Sequence, residues 1–158
     1  MIAVLHNIRS MHNVGSIFRI ADAAGFSKIY LCGITPTPID RLGRNRIQIA
    51  KISLGAESSV SWEKIHSIGG LLKHLGQTGC KILALEQSKQ SIPYFRMWVS
   101  KKQLGRTALV LGNEIQGLPL EILKLADKTL EIPMHGKKES LNVAVAFGIV
   151  AFHLVNSR

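Results

Sequence analysis

The sequence predicts an α/β protein with a mainly parallel sheet and helices on both faces. Short apolar runs alternate with helical patterns along the chain. Several of those runs are Val/Ile/Leu-rich at consecutive positions, as in parallel strands covered on both sides. The 158 residues predict one domain over 1–158, a size that buries roughly 70% of its unfolded surface.

The predicted strands are Ile2–Leu5, Lys28–Cys32, Lys81–Leu85, Thr107–Leu111 and Thr129–Ile132. After the first, Asn13 is a suitable N-cap for a helix over Val14–Ala24. Its stripe Val14, Ile17, Phe18, Ala21 and Ala24 faces the core, and Arg19 projects outward. Arg19 stands among Gly15, Ser16 and Ala23, which leave room for something to approach the helix. Arg9, His12 and Arg19 around that helix start suit a phosphate or carboxylate.

The second strand leads into an irregular Pro/Thr loop, Thr35–Asp40. Arg41, Arg44 and Arg46 follow within six positions, and helices are predicted over Arg44–Leu54 and Ile65–Gln77. A second irregular stretch, Gln87–Lys102, separates the third and fourth strands. The strand Thr107–Leu111 runs into Gly112-Asn113-Glu114, and Gly117-Leu118-Pro119 then opens a helix over Pro119–Lys124. Loops at the carboxyl ends of parallel strands are where such folds keep their sites. Glu114 there either caps the turn or orients a substrate group or a basic partner such as Arg19.

The last strand ends at Pro133, followed by a loop carrying Gly136, Lys137 and Lys138. Ser140 is the expected cap of a helix over Leu141–Asn156. That helix is apolar on nearly every side. Ala144-Gly148-Ala151 forms a small face, with Val143-Phe147-Val150-Leu154 and Val145-Ile149-Phe152 on the others. A helix apolar all round is buried all round. One domain of this size cannot cover a terminal helix completely, so part of it is expected to pack on a second copy by two-fold symmetry.

Twenty Lys+Arg against ten Asp+Glu give a formal charge of +10, which suggests a polyanionic partner, most simply nucleic acid. Aromatics at 6% argue against extensive base stacking and favour phosphate contacts. Cys32 and Cys80 read as buried small hydrophobes, and neither zinc-ligand spacing nor a metal site is expected. Neither GxGxxG nor GxxxxGK[ST] occurs, so neither dinucleotide nor P-loop chemistry is supported. The longest apolar run, Val143 to Phe152, falls short of the roughly 20 residues of a membrane span. The first residues lack the pattern of a secretory leader, and a cytoplasmic protein is expected.

Three segments together resemble the SpoU/TrmH branch of the SPOUT RNA methyltransferases. They are Asn13-x5-Arg19, Leu111-Gly112-Asn113-Glu114 with Gly117-Leu118, and Ile132-Pro133-Met134 with Ser140-Leu141-Asn142-Val143. Their order and spacing agree over nearly the whole chain. The resemblance implies a C-terminal trefoil knot and a homodimer through the C-terminal helix. It also implies S-adenosylmethionine as methyl donor, held largely by main-chain groups around Leu85, Glu86, Gly112, Ile132, Met134, Ser140 and Leu141.

The reaction it implies is methylation of an RNA ribose 2′-hydroxyl. Arg19 would be the activating group, Asn13 would orient it or a phosphate, Glu114 and Asn142 would position substrate, and Ser140 would lie near the donor. RNA contacts are expected from Arg9, His12, Arg41, Arg44, Arg46, Lys137 and Lys138. Motif one begins within the first 13 residues, as in minimal one-domain members, which favours tRNA over rRNA. Two alternatives remain open: a nucleobase methyltransferase of the same fold, and a non-catalytic dimeric RNA-binding protein.

Overall fold

The computed structural model describes residues 1–156. Its strands are β1 (Ile2–His6), β2 (Lys28–Cys32), β3 (Ser61–Ile65), β4 (Lys81–Leu85), β5 (Ile92–Pro93), β6 (Thr107–Leu111) and β7 (Lys128–Glu131). The helices are α1 (Met11–Ala23), α2 (Ile47–Ser53), α3 (Ala56–Ser59), α4 (Ile68–Gln77), α5 (Lys101–Leu104), α6 (Leu120–Leu123) and α7 (Val143–Asn156), with a 3₁₀ turn at Tyr94–Arg96.

All strands belong to one sheet in the order β3-β2-β1-β6-β4-β7-β5, and every pairing is parallel. Leu5 pairs with both Leu31 and Leu111 across the middle of the sheet. Alternation along the strands sorts the core into two layers. Leu5, Leu83, Leu109 and Leu111 face Ile17 and Phe18 of α1 and Phe147 and Val150 of α7. Val4, Ala84, Ala108 and Val110 face Leu71, Leu72 and Leu75 of α4 and Ile122 of α6. β6 is buried at all five positions, which is why its sequence, Thr-Ala-Leu-Val-Leu, has no polar face.

The five strands predicted from sequence are present, β1 one residue longer and β7 one residue earlier than expected. The edge strands β3 and β5 carry no continuous apolar run and escaped the reading. Ile65, expected to open a helix, ends β3 instead; α4 starts at Ile68, where the Ser67 hydroxyl accepts from Gly70 N. Arg44 to Arg46 belong to a loop, not to the start of α2.

Both expected helix caps are displaced. Ser10 caps α1, its Oγ accepting from Asn13 N at 3.2 Å, so Asn13 lies inside the first turn. At α7 the cap is Asn142, not Ser140: its Oδ1 accepts from Ala144 N at 2.9 Å and Val145 N at 3.3 Å. In each case the polar side chain with the longer reach serves a tertiary contact as well.

The room expected beside Arg19 is partly taken by the chain itself. α2 crosses α1 over Gly15, where a Cβ would stand 2.9 Å from Ile49 O and from Ile52 Cβ. α7 packs on the same helix, with Gly148 against Ile20. Ala144, Phe147, Val150, Ala151 and Leu154 of α7 are buried, whereas Val145 is 51% and Phe152 42% exposed. A strip of α7 is therefore uncovered within the single chain. Among the described residues no helix is long and apolar enough to cross a membrane, and Cys32 and Cys80 are free and buried.

Candidate active site

The carboxyl ends of β4, β6 and β7 open into a cavity of about 290 Å³. This is the end of a parallel sheet where ligand sites form. Leu85, Glu86, Gly112, Ile132, Met134, Ser140 and Leu141, the residues expected to hold a cofactor, all border it. Glu114 borders it too, as do Gln87, Asn113, Gly117, Glu131 and Glu139, which the sequence reading did not single out as ligand-binding positions.

Two side chains fix the loop after β6. Asn113 accepts from Ile115 N and Gln116 N through Oδ1, and its Nδ2 donates to Asn7 O at 2.8 Å. Asn7 adopts φ 56°, a left-handed conformation that asparagine tolerates, and its Oδ1 accepts from Ile34 N. Glu86 braces the other side: its carboxylate accepts from Leu118 N at 2.8 Å and Gln87 N at 3.0 Å. A Cβ on Gly117 would run into that carboxylate. A Cβ on Gly112 would meet the Gly117 carbonyl carbon at 2.5 Å and Leu118 N at 2.6 Å, so this wall is bare main chain by necessity. Gln87 Nε2 donates to Glu139 O at 2.7 Å and ties the loop after β4 to the segment before α7.

The three motif segments meet at one buried amide. Asn13, 7% exposed, donates from Nδ2 to Glu114 Oε1 at 2.9 Å and accepts at Oδ1 from Asn142 Nδ2 at 3.0 Å. Glu114 thus bonds Asn13 and not Arg19. Arg19 is exposed on α1 and, among the described residues, has no hydrogen-bonding or ionic partner. Ser140 is exposed at the cavity edge.

The cavity is acidic in a basic protein. Glu86, Glu114, Glu131 and Glu139 line it, and among the described residues no Lys or Arg does. The carboxylates of Glu86 and Glu131 are held by protein donors, the latter by Ser91 Oγ at 2.6 Å. Such a lining suits a cationic ligand and repels a polyanion. The basic residues stand elsewhere. Arg9 and His12 are exposed near the start of α1, and Lys137 and Lys138 on the loop before α7. Arg44 and Arg46 line a separate groove, and Arg41 is exposed on the same loop. Only a side-chain contact map could have revealed Asn7 and Gln87, or the bracing role of Glu86, since each holds a backbone group far along the chain.

The SpoU rRNA methylase family profile matches residues 1–152. The whole chain is 32% identical to 70% of the tRNA (guanosine(18)-2'-O)-methyltransferase of Aquifex aeolicus. It is 30% identical to 59% of the 23S rRNA (guanosine-2'-O-)-methyltransferase RlmB of Ralstonia nicotianae, so it spans well under two thirds of that relative. The crystal structure of the A. aeolicus TrmH/SpoU tRNA modifying enzyme superposes with a TM-score of 0.80, at 32% identity, over 96% of this chain and 72% of that one. An AdoMet-bound rRNA methyltransferase from Sinorhizobium meliloti gives 0.83 at 28% identity, over 96% of this chain and 54% of that one. With its parallel sheet, three-motif cluster and acidic main-chain pocket, the chain belongs to the SpoU rRNA methylase family.

Proposed function

We propose that this protein is an S-adenosylmethionine-dependent RNA ribose 2′-O-methyltransferase acting on tRNA in preference to rRNA. The observation that carries this reading is the Asn13–Glu114–Asn142 cluster beside an acidic pocket walled by bare backbone. Relatives named for tRNA and for rRNA 2′-O-methylation support the reaction class.

The pocket fits the cofactor on three counts. Gly112 and Gly117 border it, so that stretch of its wall presents main chain and no side chain. Leu85, Ile132, Met134 and Leu141 supply apolar surface for a purine. Four carboxylates favour a ligand bearing positive charge. When bound, S-adenosylmethionine supplies a methyl group on a sulfonium, with its leaving group already activated.

The chain's own residues then have to align the ribose hydroxyl and stabilise charge developing on its oxygen. A guanidinium stays protonated at ordinary pH, so Arg19 acts as an electrostatic stabiliser and phosphate clamp, not as a base. The hydroxyl proton passes to water or to a phosphate oxygen. Asn13 holds Glu114 and Asn142 in fixed register on the substrate side, with Ser140 at the donor side. Arg9, His12, Arg41, Arg46, Lys137 and Lys138 contribute phosphate contacts, while Arg44, expected among them, is engaged by Asp40.

In this reading the protein works in the cytoplasm as a homodimer through α7, with residues 1–158 forming one catalytic domain and the C-terminal segment threaded as a trefoil knot. The uncovered Val145–Phe152 strip and the unpartnered Arg19 support the dimer, in which Arg19 of one protomer reaches the pocket of its partner. The adjacency of β4, β6 and β7, with two loops closing on one pocket, supports the threading.

The test is nucleoside mapping of total RNA from a strain lacking the protein, which should reveal a missing 2′-O-methyl group. A methyl group missing from a base instead would overturn the ribose assignment. Arg19→Lys should abolish turnover while leaving S-adenosylhomocysteine affinity nearly intact; near-wild-type turnover would remove Arg19 from this role.

A further inference from the structure

We propose that the groove between the 40–46 loop and α2 is a phosphodiester-binding subsite for RNA, with Arg46 and Lys51 as its anchors. The inference rests on the RNA-modifying reading above and adds to it a separate docking point, outside the acidic pocket.

The groove encloses about 610 Å³ and is lined by Asp40, Arg44, Asn45, Arg46, Gln48 and Lys51, among others. It is a built feature. The loop closes on itself through an antiparallel bridge between Ile39 and Asn45, with Asp40 N donating to Arg44 O and Arg46 N to Pro38 O. Asp40 is fully engaged. Its Oδ1 accepts from Leu42 N and Arg44 N, and its Oδ2 pairs with the Arg44 guanidinium at 3.0 Å. Arg44 is thus held by Asp40, whose charge Arg46 also feels, while Lys51 has no hydrogen-bonding or ionic partner among the described residues. The groove sets Arg44, Arg46 and Lys51 against the single carboxylate of Asp40.

Arg46 shows what the groove lacks. Its Nε is buried and has no hydrogen-bond partner among the described residues. A buried donor of a charged group without an acceptor is costly, and an oxyanion brought to the same guanidinium lowers that cost electrostatically. Asn45 and Gln48 add neutral amide donors of the kind that contact phosphate oxygens.

The groove is rigidly tied to the catalytic helix. α2 crosses α1 over Gly15, two residues beyond Asn13, so a strand held by Arg46 and Lys51 is held relative to Asn13 and Arg19 as well. Charge divides the surface into two jobs. The pocket's carboxylates repel a phosphate backbone, while the groove attracts one.

The test uses the full chain and bulk tRNA from a strain lacking the protein. Affinity is measured across a salt series for wild type, Arg46→Gln, Lys51→Gln and the double variant. The double variant should bind about tenfold more weakly near physiological salt, with the slope of log K against log[salt] shallower by about 1.5, the expectation for two lost phosphate contacts. Lys73→Gln on α4, across the sheet, should change neither quantity. Lys51 is exposed, so Lys51→Gln separates lost binding from misfolding should Arg46→Gln unfold the loop. Unchanged affinity and slope in Lys51→Gln and the double variant would overturn the groove and leave the enzyme reading standing. A groove effect in a protein that binds no S-adenosylhomocysteine would keep the groove and overturn the enzyme reading.

Discussion

Asn142 Nδ2 donates to Asn13 Oδ1 at 3.0 Å across 129 positions of sequence. The same Asn142 caps α7 through Oδ1, and the same Asn13 donates to Glu114. Two amides thus use donor and acceptor together, and three distant segments share one register. Each amide has only one orientation that satisfies both neighbours.

That arrangement predicts a swap. Asn13→Asp removes the donor and sets a carboxylate against Glu114, which should cost about 1–3 kcal/mol of stability and most of the turnover. Adding Glu114→Gln restores a donor facing the new carboxylate, so the double variant should recover much of the lost stability in urea unfolding. No recovery would mean the contact carries little energy.

Gly15→Ala tests the helix crossing. Alanine improves helix propensity by about 1 kcal/mol, but its Cβ meets a main-chain carbonyl and a β-branched side chain at 2.9 Å. Overpacking of this kind costs about 1–3 kcal/mol, and a net fall in thermal midpoint is expected. A rise would show that α2 yields freely.

At the pocket, Gly112→Ala places a methyl group against the main chain of Gly117 and Leu118. The wall must shift, and S-adenosylhomocysteine should bind about tenfold more weakly by calorimetry, a loss near 1.4 kcal/mol. Unaltered affinity would show that this wall does not touch the ligand.

Acid should weaken the fold through His6. Burial holds its pKa below the usual histidine value, with Glu121 acting in the opposite direction, and its Nδ1 is buried without a partner among the described residues. The unfolded chain therefore takes up the proton first as pH falls. The stability is complete above about pH 6.5 and is lost as pH drops towards the folded value. The wild-type urea midpoint should fall more between pH 7.5 and pH 5 than that of His6→Gln; equal falls would exclude His6 as the cause.

The buried strands were legible because burial on both faces leaves Ala108–Leu111 continuously apolar, with Thr107 as the one polar residue of the strand. β3 was not, since an edge strand reading Ser-Trp-Glu-Lys-Ile resembles neither a buried run nor an apolar alternation. The uncovered face of α7 was also readable, because its apolar surface exceeds what one chain can cover. Caps failed for a specific reason. Each helix start offers two residues of capping type. Asn13 spends both ends of its amide on Glu114 and Asn142, leaving the cap to Ser10, whereas Asn142 bonds Asn13 through Nδ2 and keeps Oδ1 for the cap. The pocket's residues were largely accessible through motifs, whereas the braces at Asn7, Glu86 and Gln87 depend on neighbours that local pattern cannot name.

α7 carries Asn142 at its leading end and the bare Val145–Phe152 strip along its flank, while Gly148 pins it to Ile20 of α1. A rod fixed in this way cannot be nudged sideways without tilting its tip. In the proposed homodimer, a partner resting on that flank would therefore also set the aim of the amide at the end, so that assembly and chemical competence would share a single mechanical lever.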